Sequence, residues 1–144
     1  MDNKYLSNIH TSYLLNELIR QYINNDRIII AYDFDNTVHP TSCRDCSYVQ
    51  SVIRAAANIL DPYFIVFTCN TDLKYVTNYL RKNNLPYDSI NENCPTVPDW
   101  VISTNKIYYN LLLDDKAGLI QAVEALGDLI YIIQNGKIEE YLNV

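Results

Sequence analysis

Three short apolar runs, each ending in hydrogen-bonding or acidic side chains, constrain this chain more than any other feature. The first, Arg27-Ile28-Ile29-Ile30-Ala31-Tyr32, stops at Asp33. The second, Tyr63-Phe64-Ile65-Val66-Phe67, stops at Thr68. The third, Leu111-Leu112-Leu113, runs into Asp114-Asp115. The first two are rich in β-branched and aromatic residues and read as strands buried on both faces, as in a parallel sheet. Parallel strands need crossover connections, usually helical.

Helical patterns occupy the intervening segments. Residues 11–24 set Leu14, Leu15, Leu18, Ile19, Tyr22 and Ile23 at i, i+3, i+4 spacing, which predicts an N-terminal helical extension within residues 1–26. Asp45 is placed to cap a helix that reaches Leu60 and buries Val49, Val52, Ile53, Ala56, Ala57 and Leu60, with Asp61-Pro62 as its breaker. Asn70 or Thr71 caps a third helix with Leu73, Val76, Thr77 and Leu80 inward, ended by Asn83-Asn84. Residues 87–90 read as a short edge strand and 91–105 as irregular. The pattern then predicts a helix over 117–126 stopped by Gly127, a last strand over 129–133, and a turn at Asn135-Gly136, of a small hairpin. Strands alternating with helices in 144 residues predict one α/β domain, 1–144, a sandwich around a mostly parallel sheet.

In such folds ligands sit beyond the carboxyl ends of the strands. That edge gathers four carboxylates, Asp33, Asp35, Asp114 and Asp115. Like charges so close need a counter-charge, and an all-oxygen donor set favours Mg2+, which keeps waters and accepts a phosphate oxygen. A small phosphorylated substrate is therefore expected. In Asp33-Phe34-Asp35, Phe34 can point inward while Asp33 attacks phosphorus. Asp35 can protonate the leaving oxygen and later activate water. Thr68 can donate to a phosphoryl oxygen, with Cys69 and Asn70 beside it, and Arg44 can hold a second anionic group. A lysine is needed to offset the charge.

The series Asp33-Phe34-Asp35-Asn36-Thr37-Val38, Phe67-Thr68, Lys106 and Leu111-Leu112-Leu113-Asp114-Asp115 resembles the haloacid dehalogenase-like (HAD) phosphatase superfamily, over residues 27 to about 133. The resemblance implies a Rossmann-like three-layer sandwich of strand order 3-2-1-4-5 and an aspartyl-phosphate intermediate. It also implies Asp33 as nucleophile, Asp35 as acid/base, and magnesium held by Asp33, the Asp35 carbonyl and one of Asp114 or Asp115. Neither 37–63 nor 68–106 is long enough in extra sequence to fold as a cap domain, so the chain resembles the small capless subgroup. An open site walled by the 38–45 and 91–105 loops follows. Lys106 fills the lysine position in family order. It stands eight residues before Asp114, about 26 Å if fully extended, so it reaches the site only if 106–110 fold back. Lys74 and Lys116 are the alternatives.

Composition narrows the rest. With 17 acidic and 11 basic residues the formal charge is -6, which lacks the basic footprint of a nucleic-acid binder. The longest apolar runs have five residues, against about 20 for a membrane span. No secretory signal is visible, so a cytoplasmic protein is expected, with Cys43, Cys46, Cys69 and Cys94 as free thiols. A four-thiolate zinc site would require their convergence. His39 lies on the loop after the nucleophile, and Asn91-Glu92-Asn93 either touch substrate or turn the chain. The expected function is a magnesium-dependent phosphomonoesterase acting on a small metabolite, a nucleotide being one candidate. The alternatives are a receiver-like phospho-acceptor domain and a non-catalytic binding protein on the same scaffold.

Overall fold

Ile29–Asp33 (β1) forms the middle of a sheet and pairs in parallel on both sides. Tyr63–Phe67 (β2) lies along one edge of it in the register Asp33↔Phe67, and Leu111–Leu113 (β4) along the other in the register Tyr32↔Leu113. Ser89–Ile90 (β3) adds a two-residue edge beside β2. The sheet is all parallel and its order is β3-β2-β1-β4. The computed structural model describes residues 3–142, with side chains from 12 to 141, so the expected domain limits at 1 and 144 fall outside the described residues.

The two faces of the sheet are covered differently. Ile30, Tyr32, Phe64, Val66, Leu111 and Leu113 face one large core. Four helices close it: Asn3–Asn24 (α1), Ser47–Leu60 (α2), Leu73–Lys82 (α3) and Leu119–Gln134 (α5). The intervening residues Ile29, Ala31 and Ile65 face a smaller core with Cys94, Ile107, Tyr108, Tyr109 and Leu112. This alternation is the strand period of two. The third layer of the expected sandwich is therefore chain from 91 to 110, containing only the single turn Asp99–Ile102 (α4), whose Trp100 ring meets Tyr108. A last turn, Glu139–Leu142 (α6), ends the described chain.

The expected fifth strand is absent among the described residues. Residues 129–133 continue α5, and the order ends at β4 instead of running to a fifth strand. Leu119, Ala122, Val123, Leu126, Leu129 and Ile130 are all buried, so the helical phase passes unbroken through Gly127. Burial of that stripe against α1 and α2 outweighs the β preference of Ile130-Tyr131-Ile132-Ile133. Gly127 lacks the left-handed backbone of a helix stop, which Gly118 (φ 68°) adopts before α5 and Gly136 (φ 63°) after it. Asn135-Gly136 thus closes a helix and makes no hairpin. The helix also starts at Leu119, two residues later than expected.

Smaller corrections concern caps and faces. Cys46 occupies the cap position of α2, while Asp45 just before it accepts the Ser47 amide at 2.9 Å. Asp72, not Asn70 or Thr71, caps α3 by accepting the Tyr75 amide at 3.0 Å. Leu73 is exposed rather than inward, because the buried stripe of α3 is Val76 and Leu80. On α1, Leu18 and Ile19 are buried against the core, whereas Ile23 is exposed. Among the described residues no helix is long and apolar enough to cross a membrane.

Candidate active site

Register brings the site together. Because Tyr32 pairs with Leu113 and Asp33 with Phe67, Asp114 falls beside Asp33 and Thr68 one residue beyond it at the carboxyl edge. One oxygen each of Asp33, Asp114 and Asp115 lies within 4.8 Å of the others. Asp35 is not in this group: its Oδ1 accepts the Thr41 hydroxyl at 2.7 Å. Three of the four expected carboxylates converge, and the fourth side chain is held on the adjoining loop. A three-carboxylate, all-oxygen donor set is the kind that suits a hard divalent ion such as Mg2+.

Thr37 is the hidden organiser of these acids. Its side chain is fully buried, donates to Asp33 Oδ2 at 3.1 Å and accepts the Asp115 amide at 3.0 Å. One hydroxyl thereby joins the loop after β1 to the loop after β4. The loop turns tightly enough for this because the Val38 and His39 amides both donate to the Phe34 carbonyl, at 3.1 and 2.9 Å, and Asn36 takes a left-handed φ of 60°. Phe34 points inward as expected, fully buried. The sequence presents Thr37 as a motif residue without a role; its burial supplies one.

Charge crowding shows in Asp33. Burial, reinforced by the neighbouring Asp114 and Asp115, pushes its carboxyl up to about 6, against the opposing hydrogen bond from Thr37. Bringing a cation to these oxygens would relieve that repulsion.

A cavity of about 520 Å³ opens beside the acids. It is lined by the acids Asp33 and Asp114, by Phe67, Thr68, Cys69 and Asn91, and by Lys106, Ile107 and Tyr109. Lys106 thus faces the same space as Asp33, because residues 107–109 run back across the smaller core before Asn110 enters β4. Two reciprocal bonds fix that entry: the Asn110 amide donates to the Ile29 carbonyl at 2.8 Å and the Ile29 amide to Asn110 Oδ1 at 2.7 Å. Lys74 and Lys116 are exposed and do not line the cavity.

Asn91 settles what the 91–93 segment does. Its side chain accepts the Thr68 amide at 3.0 Å and donates to the Thr68 carbonyl at 2.8 Å, clamping the end of β2 while also lining the cavity. Asn93 accepts the Tyr108 amide at 2.8 Å and so anchors the returning segment. Thr68 Oγ1 accepts the Asn70 amide at 3.0 Å, which leaves its own proton to give. Neither Asn70 nor Arg44 lines the cavity; Asn70 Oδ1 accepts the Asp72 amide instead. The 38–45 loop contributes no wall, since the loop closes on itself through Asn36 Oδ1 and the Ser42 amide, 2.8 Å apart. All four cysteines are free, and none belongs to the metal-sized acid group. No family model, curated protein or solved structure matches this chain.

Proposed function

We propose that this chain is a magnesium-dependent phosphomonoesterase of the HAD type, acting through an aspartyl phosphate on a small phosphorylated metabolite. The observation that carries this is the meeting of Asp33, Asp114 and Asp115 oxygens within 4.8 Å at a cavity also lined by Lys106 and Thr68. Three acids, a cation and a hydroxyl around one open space match the needs of phosphoryl transfer, in which positioning and charge stabilisation dominate.

In this reading Asp33, Asp114 and Asp115 would hold the ion. When bound, it would neutralise the acids and draw charge from the phosphoryl oxygens. An Asp33 oxygen attacks phosphorus as the bond to the leaving oxygen breaks, and Asp35 delivers a proton to that oxygen. Asp35 then takes a proton from water, which attacks the acyl phosphate, releasing inorganic phosphate and restoring the Asp33 carboxylate. Lys106 offsets the negative charge of the phosphoryl group, and Thr68 donates to one of its oxygens. Thr37 holds Asp33 in place through its 3.1 Å bond.

Purified protein is expected to release phosphate from an aryl phosphate when Mg2+ is added and to stop with chelator. Asp33→Asn should lower turnover by at least about a thousandfold, since covalent catalysis is lost with the nucleophile. Equal turnover by wild type and Asp33→Asn would refute the assignment. A stable phosphoprotein that never turns over would favour a phospho-acceptor domain instead.

A further inference from the structure

Asp35 ends a chain of four side chains that the proposed reaction alone does not account for. Thr41 Oγ1 lies 2.7 Å from Asp35 Oδ1, His39 Nδ1 lies 2.8 Å from Thr41 Oγ1, and the Tyr75 hydroxyl lies 2.7 Å from His39 Nε2. Proton counting fixes the direction. A carboxylate can only accept, so the single Thr41 proton goes to Asp35. Thr41 Oγ1 must then accept from His39, which puts the proton of the neutral ring on Nδ1. The bare Nε2 accepts from Tyr75, at the start of α3. The imidazole itself is pinned, stacked on buried Phe34 with centroids 5.0 Å apart and edge-on to Tyr79 at 4.6 Å. Thr41 is placed by its own backbone, whose amide donates to the His39 carbonyl at 2.8 Å.

We infer that Thr41 and His39 are positioning residues: His39 aims the Thr41 hydroxyl, which fixes the Asp35 carboxylate in one orientation for its acid/base role, with Tyr75 selecting the His39 tautomer. This rests on the phosphomonoesterase reading for its catalytic consequence, but the tautomer does not. A half-buried loop carboxylate still has more than one rotamer open to it, and a directed donor holds one of them. The chain also ties Asp35 to α3, which follows directly on the Thr68 loop that would bind the phosphoryl group.

Two measurements test it. Nitrogen-15 NMR at mildly alkaline pH, with His10→Gln to assign the ring, should show His39 protonated at Nδ1, and Tyr75→Phe should weaken that preference. A wild-type ring protonated at Nε2 would overturn the inference whatever the activity. In turnover, Thr41→Val should lower kcat on an alkyl phosphate by about tenfold or more. KM should be little changed, and the loss on dinitrophenyl phosphate, whose leaving group needs no proton, should be smaller. Thr41→Ser should restore the rate. An equal loss on both esters, a change in KM alone, or no rescue by serine would refute the positioning role. If Thr41→Val does not fold, Tyr75→Phe, which keeps the ring, carries the same comparison, with a smaller kcat loss expected. A correct tautomer in a wild type without phosphatase activity would remove the catalytic role along with the reaction, and would leave the fault with the functional reading.

Discussion

At the scale of single residues, Asp33 carries a stability signature that needs no substrate. Its carboxyl is raised from 3.8 to about 6 by burial and by Asp114 and Asp115. The folded chain therefore holds this proton more tightly than the unfolded chain, and folding is favoured as pH falls. In chelator, the Asp33 contribution should grow as pH drops from about 6 to 3.8 and be lost as pH rises back through that window. Denaturant melts of wild type against Asp33→Asn isolate it, because the substituted chain lacks the titrating group; identical pH profiles would show that Asp33 is not strained. Much of this residue-scale logic was legible beforehand. Asp33, Thr68 and Asp114 could be nominated because each ends or follows an apolar run, and Lys106 from its place in the order of the resembling family. Thr37, Asn91 and Asn110 gained their roles only from proximity. A threonine that holds Asp33 and accepts the amide of Asp115, 78 residues further along the chain than the threonine itself, leaves no local trace. For the opposite reason the Asp35 carboxylate stands outside the acid group and Arg44 off the cavity, since a loop can turn a charged side chain away from neighbours that its sequence position suggests.

At the scale of elements, α5 is the main lesson. A five-residue apolar run such as Leu129-Ile130-Tyr131-Ile132-Ile133 suits a buried strand or a buried helix segment equally well, and local pattern cannot choose. The decision lies upstream, in whether its phase continues that of Leu119, Ala122, Val123 and Leu126, and it does. Gly127 then becomes a flaw inside a helix instead of a stop. A Cβ at this position would meet nothing within 4 Å, and its φ is not positive. Gly127→Ala should therefore stabilise the protein by about 0.5–1 kcal/mol, the usual cost of glycine in a helix interior. Chemical denaturation reads this directly; a destabilised variant would mean that the helix breaks at Gly127 after all. The shorter elements were clearer. Phe67-Thr68 and Asp61-Pro62 mark both ends of their segments unambiguously, and β2 spans the expected residues.

At the scale of the whole molecule, the three acids link the end of β1 to the loop that follows β4, so filling the site should tighten the fold. A ligand that binds only the folded state adds about 2.7 kcal/mol at a hundredfold excess over Kd. In a chain of this length, that corresponds to a rise in Tm of several degrees. Magnesium should raise Tm in wild type but not in an Asp114→Asn, Asp115→Asn double variant. Equal shifts in both would place the ion elsewhere. The sheet has a consequence of another kind. Among the described residues its margins are the two residues of β3 and the three of β4. Long bare margins act as templates on which a neighbouring molecule can add a strand, and stunted ones do not. By ending its sheet so abruptly on both sides, the chain gives a second copy little backbone to zip onto, a built-in guard against fibrous self-association.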